Sequence, residues 1–156
     1  MKKIFLALLI TFSTYTIQAQ QDTVEWHTDF QKAMAVSSKT NKPLFLFFTG
    51  SDWCGWCIKL QKEVFKTPEF AKWAKENVVL MELDFPRRTA QTPELKNQNA
   101  QLNSVFKVRG YPTVWIANAN KTAEGKIEFS ALGNIGYVAG GPSAWLDGAN
   151  KILSKK

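Results

Sequence analysis

At 156 residues with 45% hydrophobic and 21% charged side chains, the chain has material for one domain with a real core and no room for a second. Its formal net charge of +7 is spread along the sequence, which implies a solvated surface and no nucleic-acid partner. Only two cysteines are present, so a scaffold stapled by several disulfides is excluded.

Met1-Lys2-Lys3 followed by the apolar run Ile4 to Ile10 and a polar stretch ending at Ile17-Gln18-Ala19 predicts a secretory signal peptide cleaved near Ala19. Its seven unbroken apolar residues fall well short of the roughly 20 that span a bilayer. Removing 19 of 156 residues leaves 137, residues 20–156, as a single domain carrying about +5 once Lys2 and Lys3 are gone. A periplasmic or secreted location and a monomeric state are the expectations.

The mature chain then reads in order. Val24-Glu25-Trp26 predicts a short strand, and Asp29 to Ser38 a helix capped by Thr28 or Asp29, with Phe30, Ala33, Met34 and Ser37 on one side. Pro43 to Phe48 is an apolar run of strand length, expected to be buried on both faces. Thr49 to Asp52 supply a turn, and Cys57, Leu60 and Val64 recur at helical spacing, so a helix should begin near Cys54. Thr67-Pro68 is a cap followed by a first-turn proline and starts a new helix running to about Glu76.

Val78 to Asp84 predicts a second interior strand. Thr92-Pro93 repeats the cap-and-proline signal before a helix that buries Leu95, Leu102, Val105 and Phe106 and leaves Lys96 to Gln101 wet. Thr113 to Ala117 is a third interior strand, joined by a turn at Asn118 to Gly125 to an antiparallel edge strand, Lys126 to Phe129. Gly133 to Gly141 is too glycine-rich for regular structure and is expected close to the active face, and a last helix opens at Gly141-Pro142 and buries Trp145, Ala149 and Ile152. The sum is an α/β fold, a mixed sheet with helices on both faces. Arg87-Arg88 reads as plain loop, Lys59, Lys62, Lys66, Lys72 and Lys75 as exposed helix faces, and Trp73, Trp115 and Trp145 as core.

Both cysteines lie in Trp53-Cys54-Gly55-Trp56-Cys57, where a strand hands over to a helix. Two cysteines at this spacing form either a small disulfide or half of a metal site. A bridge closing so short a loop stabilises little, so reactivity explains the pair better than stability. A structural zinc needs four ligands and the only imidazole is His27, itself expected at the surface of a strand end. Copper(I) needs fewer thiolates and stays open as an alternative, as does a non-catalytic peptide binder. No cofactor is implied.

Unpartnered amides and the positive end of a helix favour a thiolate at Cys54, which is expected to be exposed and to titrate below the free value of about 8.5. Cys57, on the face of Leu60 and Val64, should point inward and remain a thiol. Trp53 and Trp56 bracket the exposed sulfur and suggest an apolar docking rim for peptide-like substrate.

The order strand, Trp-Cys-x-x-Cys, helix, then Gly110-Tyr111-Pro112-Thr113 before another apolar run resembles the thioredoxin superfamily. Phe48 to Phe65, with Pro112 downstream, is similar to secreted bacterial thioredoxin-like proteins and to the thioredoxin-like domain of the disulfide reductase DsbD. The resemblance spans about residues 24–153. It implies a thioredoxin-like three-layer fold, Cys54 as attacking nucleophile, Cys57 as resolving thiol, and Pro112 as a cis proline whose neighbour Tyr111 pairs with an extended substrate. Gly55, between the cysteines, joins Trp53, Trp56, Tyr111 and Pro112 in the implied substrate-binding set.

Two departures stand out: Gly55-Trp56 replaces Gly-Pro, and Phe48 occupies the position of the buried acid six residues before the first cysteine. The implied activity is an exported thiol-disulfide oxidoreductase acting on protein or peptide disulfides by reduction or isomerisation, with a membrane partner as electron donor.

Overall fold

A computed structural model describes residues 24–155; the expected signal peptide, residues 1–19, lies outside them. The central strand β2, Leu44–Thr49, is buried at every residue, as a strand covered on both faces must be. It pairs in parallel with β3, Val79–Asp84, and antiparallel with β4, Thr113–Lys121. The two-residue β1, Trp26–His27, lies parallel to β3, and β5, Ile127–Ile135, antiparallel to β4, giving the order β1-β3-β2-β4-β5.

Alternation along β2 divides the core. Phe45 and Phe47 face one side, packed with both cysteines and with residues of α2, Gly55–Leu60, α3, Pro68–Asn77, and α5, Gly141–Leu153. Leu44, Leu46 and Phe48 face the other, under α1, Phe30–Thr40, and α4, Pro93–Val105. The first layer is largely aromatic: the Phe45 ring centroid is 5.6–6.2 Å from those of Trp26, Phe65, Phe70, Trp73 and Trp145. Such contacts add about 0.5–1.5 kcal/mol per pair beyond area burial, and Cys57 and Leu60 of α2 are buried in the same cluster.

Helix starts follow the sequence signals. Asp29, Thr67 and Thr92 each cap a helix by accepting the N–H three residues on, at 3.0, 3.3 and 3.3 Å, contacts worth about 1 kcal/mol apiece. Several expectations need correction. Val24 and Glu25 precede β1 instead of belonging to it. Between α2 and Thr67 the helix widens into a π-helical turn, Gln61–Phe65, which brings the adjacent Val64 and Phe65 both into the core.

On α4, Asn99 is buried because its amide donates to Asp84 O at 3.0 Å, and Val105 is 55% exposed. The β4–β5 hairpin is longer than its hydrophobic pattern suggests. Strand pairing reaches Ile135 through a bulge that leaves Leu132 unpaired, and Gly133 lies so close to Ile152 that a Cβ would sit 3.2 Å from its Cγ2. Backbone pairing, blind to side-chain composition, overrides the glycine signal there.

Glu82 lies on the cysteine-side face of β3, half-buried beside Phe47, and desolvation followed by the Asp84 charge raises its pKa. A raised carboxylate binds its proton more tightly in the folded state, so its contribution is full below the unfolded value near 4.5 and is lost as pH rises through the folded value. Glu82→Gln should therefore raise the denaturation midpoint at pH 7 and leave it little changed at pH 4, measured by urea titration. An equal effect at both pH values would refute this.

Candidate active site

Gly50 O accepts the N–H of Trp53 and of Cys54 at 3.2 and 2.8 Å, folding the end of β2 into a turn that sets Cys54 at the N-cap of α2. The Cys54 Sγ accepts the Cys57 N–H at 3.2 Å. The same sulfur is bonded to Cys57 Sγ, with the two Cα atoms 5.3 Å apart. An amide aimed at the sulfur of the capping residue stabilises negative charge on it once the bond opens. Cys57 is fully buried, as its helical face requires.

Cys54 departs from the expected exposure. It is 6% accessible in the disulfide form, because its sulfur is tied inward and Trp53 and Tyr111 pack against the same cluster. The ranking still holds, since it is the more accessible of the two. Phe48 also needs correction, because its side chain faces the α1–α4 layer; the β2 residues that share the core of the cysteines are Phe45 and Phe47, of which Phe47 is the nearer to Cys54 in sequence.

The two indoles differ. Trp56 is 58% exposed, whereas Trp53 is clamped. Its ring lies against Gly50, where a Cβ would collide with Cε2, and its Nε1–H donates to Phe85 O at 2.8 Å. Arg87 covers it with Cζ 3.8 Å from the ring centroid. Gly55 has open space around its Cα.

Tyr111 and Pro112 are joined by a cis peptide bond. The Tyr111 ring stands edge-on to Trp53 at 5.9 Å and stacks on Phe85 at 5.2 Å, which brings this loop to the redox turn. Its hydroxyl donates to Asn103 Oδ1 at 3.2 Å, and burial raises its pKa.

Two features were not legible in the sequence. The Asp52 carboxylate accepts the backbone N–H groups of Arg87, Arg88 and Thr89 at 2.9, 2.8 and 3.0 Å, strapping that loop to the redox turn. These bonds, that from Arg87 foremost, hold its pKa below the ordinary value. On the opposite flank, Tyr137 lies 5.0 Å from Trp56, donates to Glu63 Oε2 at 2.6 Å and shares the Lys59 ammonium with Trp56 at 5.2 and 5.1 Å. Only the glycine-rich stretch containing Tyr137 had pointed there. Among the described residues no group of three or more His, Cys, Asp or Glu is placed to hold a metal ion.

The sequence profile of the thioredoxin-like domain matches residues 30–133. The chain is 37% identical over 103 residues to the "Disulfide bond reductase DsbH" of Chlamydia pneumoniae, covering 66% of this chain and 59% of that protein. It is 35% identical over 114 residues to the "Thioredoxin-related protein DsbJ" of the same organism, covering 70% and 33%. The chain thus spans about a third to three-fifths of these curated relatives. Among solved structures, "DsbH Oxidoreductase" superposes with a TM-score of 0.74 at 31% identity over 96% of both chains. A thioredoxin from Thermus thermophilus, at 14% identity and a TM-score of 0.59, shares the fold.

Gly50→Ala forces a methyl into the pinned Trp53 ring and should cost about 1–3 kcal/mol by overpacking. Chemical denaturation followed by tryptophan fluorescence measures this, and an unchanged midpoint would contradict the clamp.

Proposed function

The chain belongs to the thioredoxin-like domain family, and on that premise we propose that it is an exported thiol-disulfide oxidoreductase that reduces or isomerises protein disulfides. The observation that carries this reading is the Cys54 sulfur at a helix N-cap, bonded to Cys57 and accepting its N–H. In the reduced protein the Cys54 thiolate attacks one sulfur of a substrate disulfide, forming a mixed disulfide and releasing the other as thiolate. Cys57 then loses its proton and attacks Cys54 Sγ. The second substrate thiolate leaves, two electrons have passed to the substrate, and the Cys54–Cys57 bond is restored.

Reduction is favoured over oxidation because a relative sharing more than a third of the aligned residues is named a disulfide bond reductase. Turnover in that direction needs a dithiol donor to reopen the bond; for an exported protein this role falls to a membrane partner, since the periplasm is held oxidising. Export rests on the signal-peptide pattern of residues 1–19, with residues 20–156 as one domain. Substrate docks on the exposed Trp56, with Tyr137 beneath it, and on the Tyr111-Pro112 loop across the sulfurs.

Insulin reduction driven by dithiothreitol tests the assignment. Cys54→Ser should fall to the rate of dithiothreitol alone, while Cys57→Ser should accumulate a mixed disulfide visible by mass spectrometry. Equal rates for wild type and Cys54→Ser, or none for either, would overturn it. Trp56→Ala should lower kcat/KM about tenfold if the indole is a docking contact, and an unchanged value would remove it from the rim.

A further inference from the structure

The strap at residues 85–89 places a cation beside the redox turn that disulfide exchange itself does not require. Arg87 rides on Trp53, the residue preceding Cys54, with Cζ 3.8 Å from the ring centroid. Its backbone and that of Arg88 are fixed by Asp52. Both side chains are exposed. Among the described residues neither guanidinium donates a hydrogen bond or meets a carboxylate within ion-pair distance.

The nearby acids are already engaged. Asp52 turns both oxygens onto backbone N–H groups, and Asp84 accepts from the Ser51 N–H and hydroxyl. The loop thus presents an unsatisfied Arg87 guanidinium on Trp53, next to Cys54, followed by an exposed and unsatisfied Arg88, on a backbone tied to the redox turn by Asp52. Arginine in this state fits a carboxylate bidentately, and stacking on the indole fixes one of the two in advance of binding.

From this arrangement we infer that Arg87 and Arg88 select substrates whose reactive cysteine is flanked by carboxylates, an acidic segment laid across Trp53 as the disulfide meets Cys54. The inference rests on the oxidoreductase reading and names the substrate class of that site. An extended chain advances about 3.3 Å per residue, so a Glu or Asp one to three residues from the substrate cysteine can reach the forks. Trp56 and Tyr137, on the opposite flank, hold the apolar part of the same segment.

The test uses three symmetrical peptide disulfides differing only in whether the residues beside cysteine are Glu, Gln or Lys. The reduced protein is mixed with each, and every rate is divided by that of dithiothreitol with the same peptide. Wild type should prefer the Glu over the Gln peptide about fivefold at low salt and react slowest with the Lys peptide, the contrast fading as salt rises. In the double variant Arg87→Gln/Arg88→Gln the Glu-to-Gln ratio should fall to about one. In Lys72→Gln, which removes a charge from the exposed side of α3, the ratio should stay at the wild-type value.

A wild-type ratio near one, a ratio that survives the double variant, or an equal loss in Lys72→Gln would each overturn the inference while leaving the enzyme assignment standing. Failure to exchange with all three peptides would overturn both.

Discussion

One amide N–H, that of Cys57, pointing at the Cys54 sulfur from 3.2 Å is the contact from which the chemistry of this molecule develops. It exists because the residue at the helix N-cap is a cysteine where a serine or aspartate would ordinarily accept the same N–H. A hydroxyl in that place would merely stabilise the helix. A sulfur there becomes more acidic, and its partner one turn later is close enough to close a disulfide.

The rest of the fold serves to make that cap rigid. β2 is buried along its length and delivers the turn, Gly50 O anchors it twice, and the aromatic layer around Phe45 fixes the helix behind it. Three stretches far apart in sequence then close around the sulfurs: residues 85–89 through Asp52 and Trp53, Tyr111-Pro112 through the Trp53 and Phe85 rings, and Tyr137 through Trp56 and Glu63. The two sides are chemically unlike. One is aromatic with the Lys59 ammonium shared between two rings, and the other is aromatic beneath the Arg87 guanidinium, with Arg88 exposed next to it in the chain.

What could be read from the residues is what local physics controls. Apolar runs located β2 and β3, cap-and-proline pairs located α3 and α4, and the 57, 60, 64 spacing located the buried face of α2. The features that escaped depend on long-range geometry. Nothing in Val64-Phe65 announces a π-helical turn, and Arg87 looks like any loop arginine until the fold carries it 3.8 Å from Trp53. Phe48 and Phe47 could not be told apart by counting back from Cys54, because the course of the turn decides which ring lies under the cysteines. Cys54 is less exposed than expected because its sulfur is tied to Cys57 and because Tyr111, from a distant loop, packs with the neighbouring Trp53 against the same cluster.

The claim on which all of this depends is that backbone amides keep the Cys54 sulfur anionic once the disulfide is opened. It is tested most directly by the pH dependence of alkylation of the reduced protein with iodoacetamide, with the modified residue identified by mass spectrometry. A single fast-reacting thiol, Cys54, with a midpoint well below the free-cysteine value of about 8.5 is the expected result. A midpoint at or above that value, or Cys57 reacting first, would contradict the account.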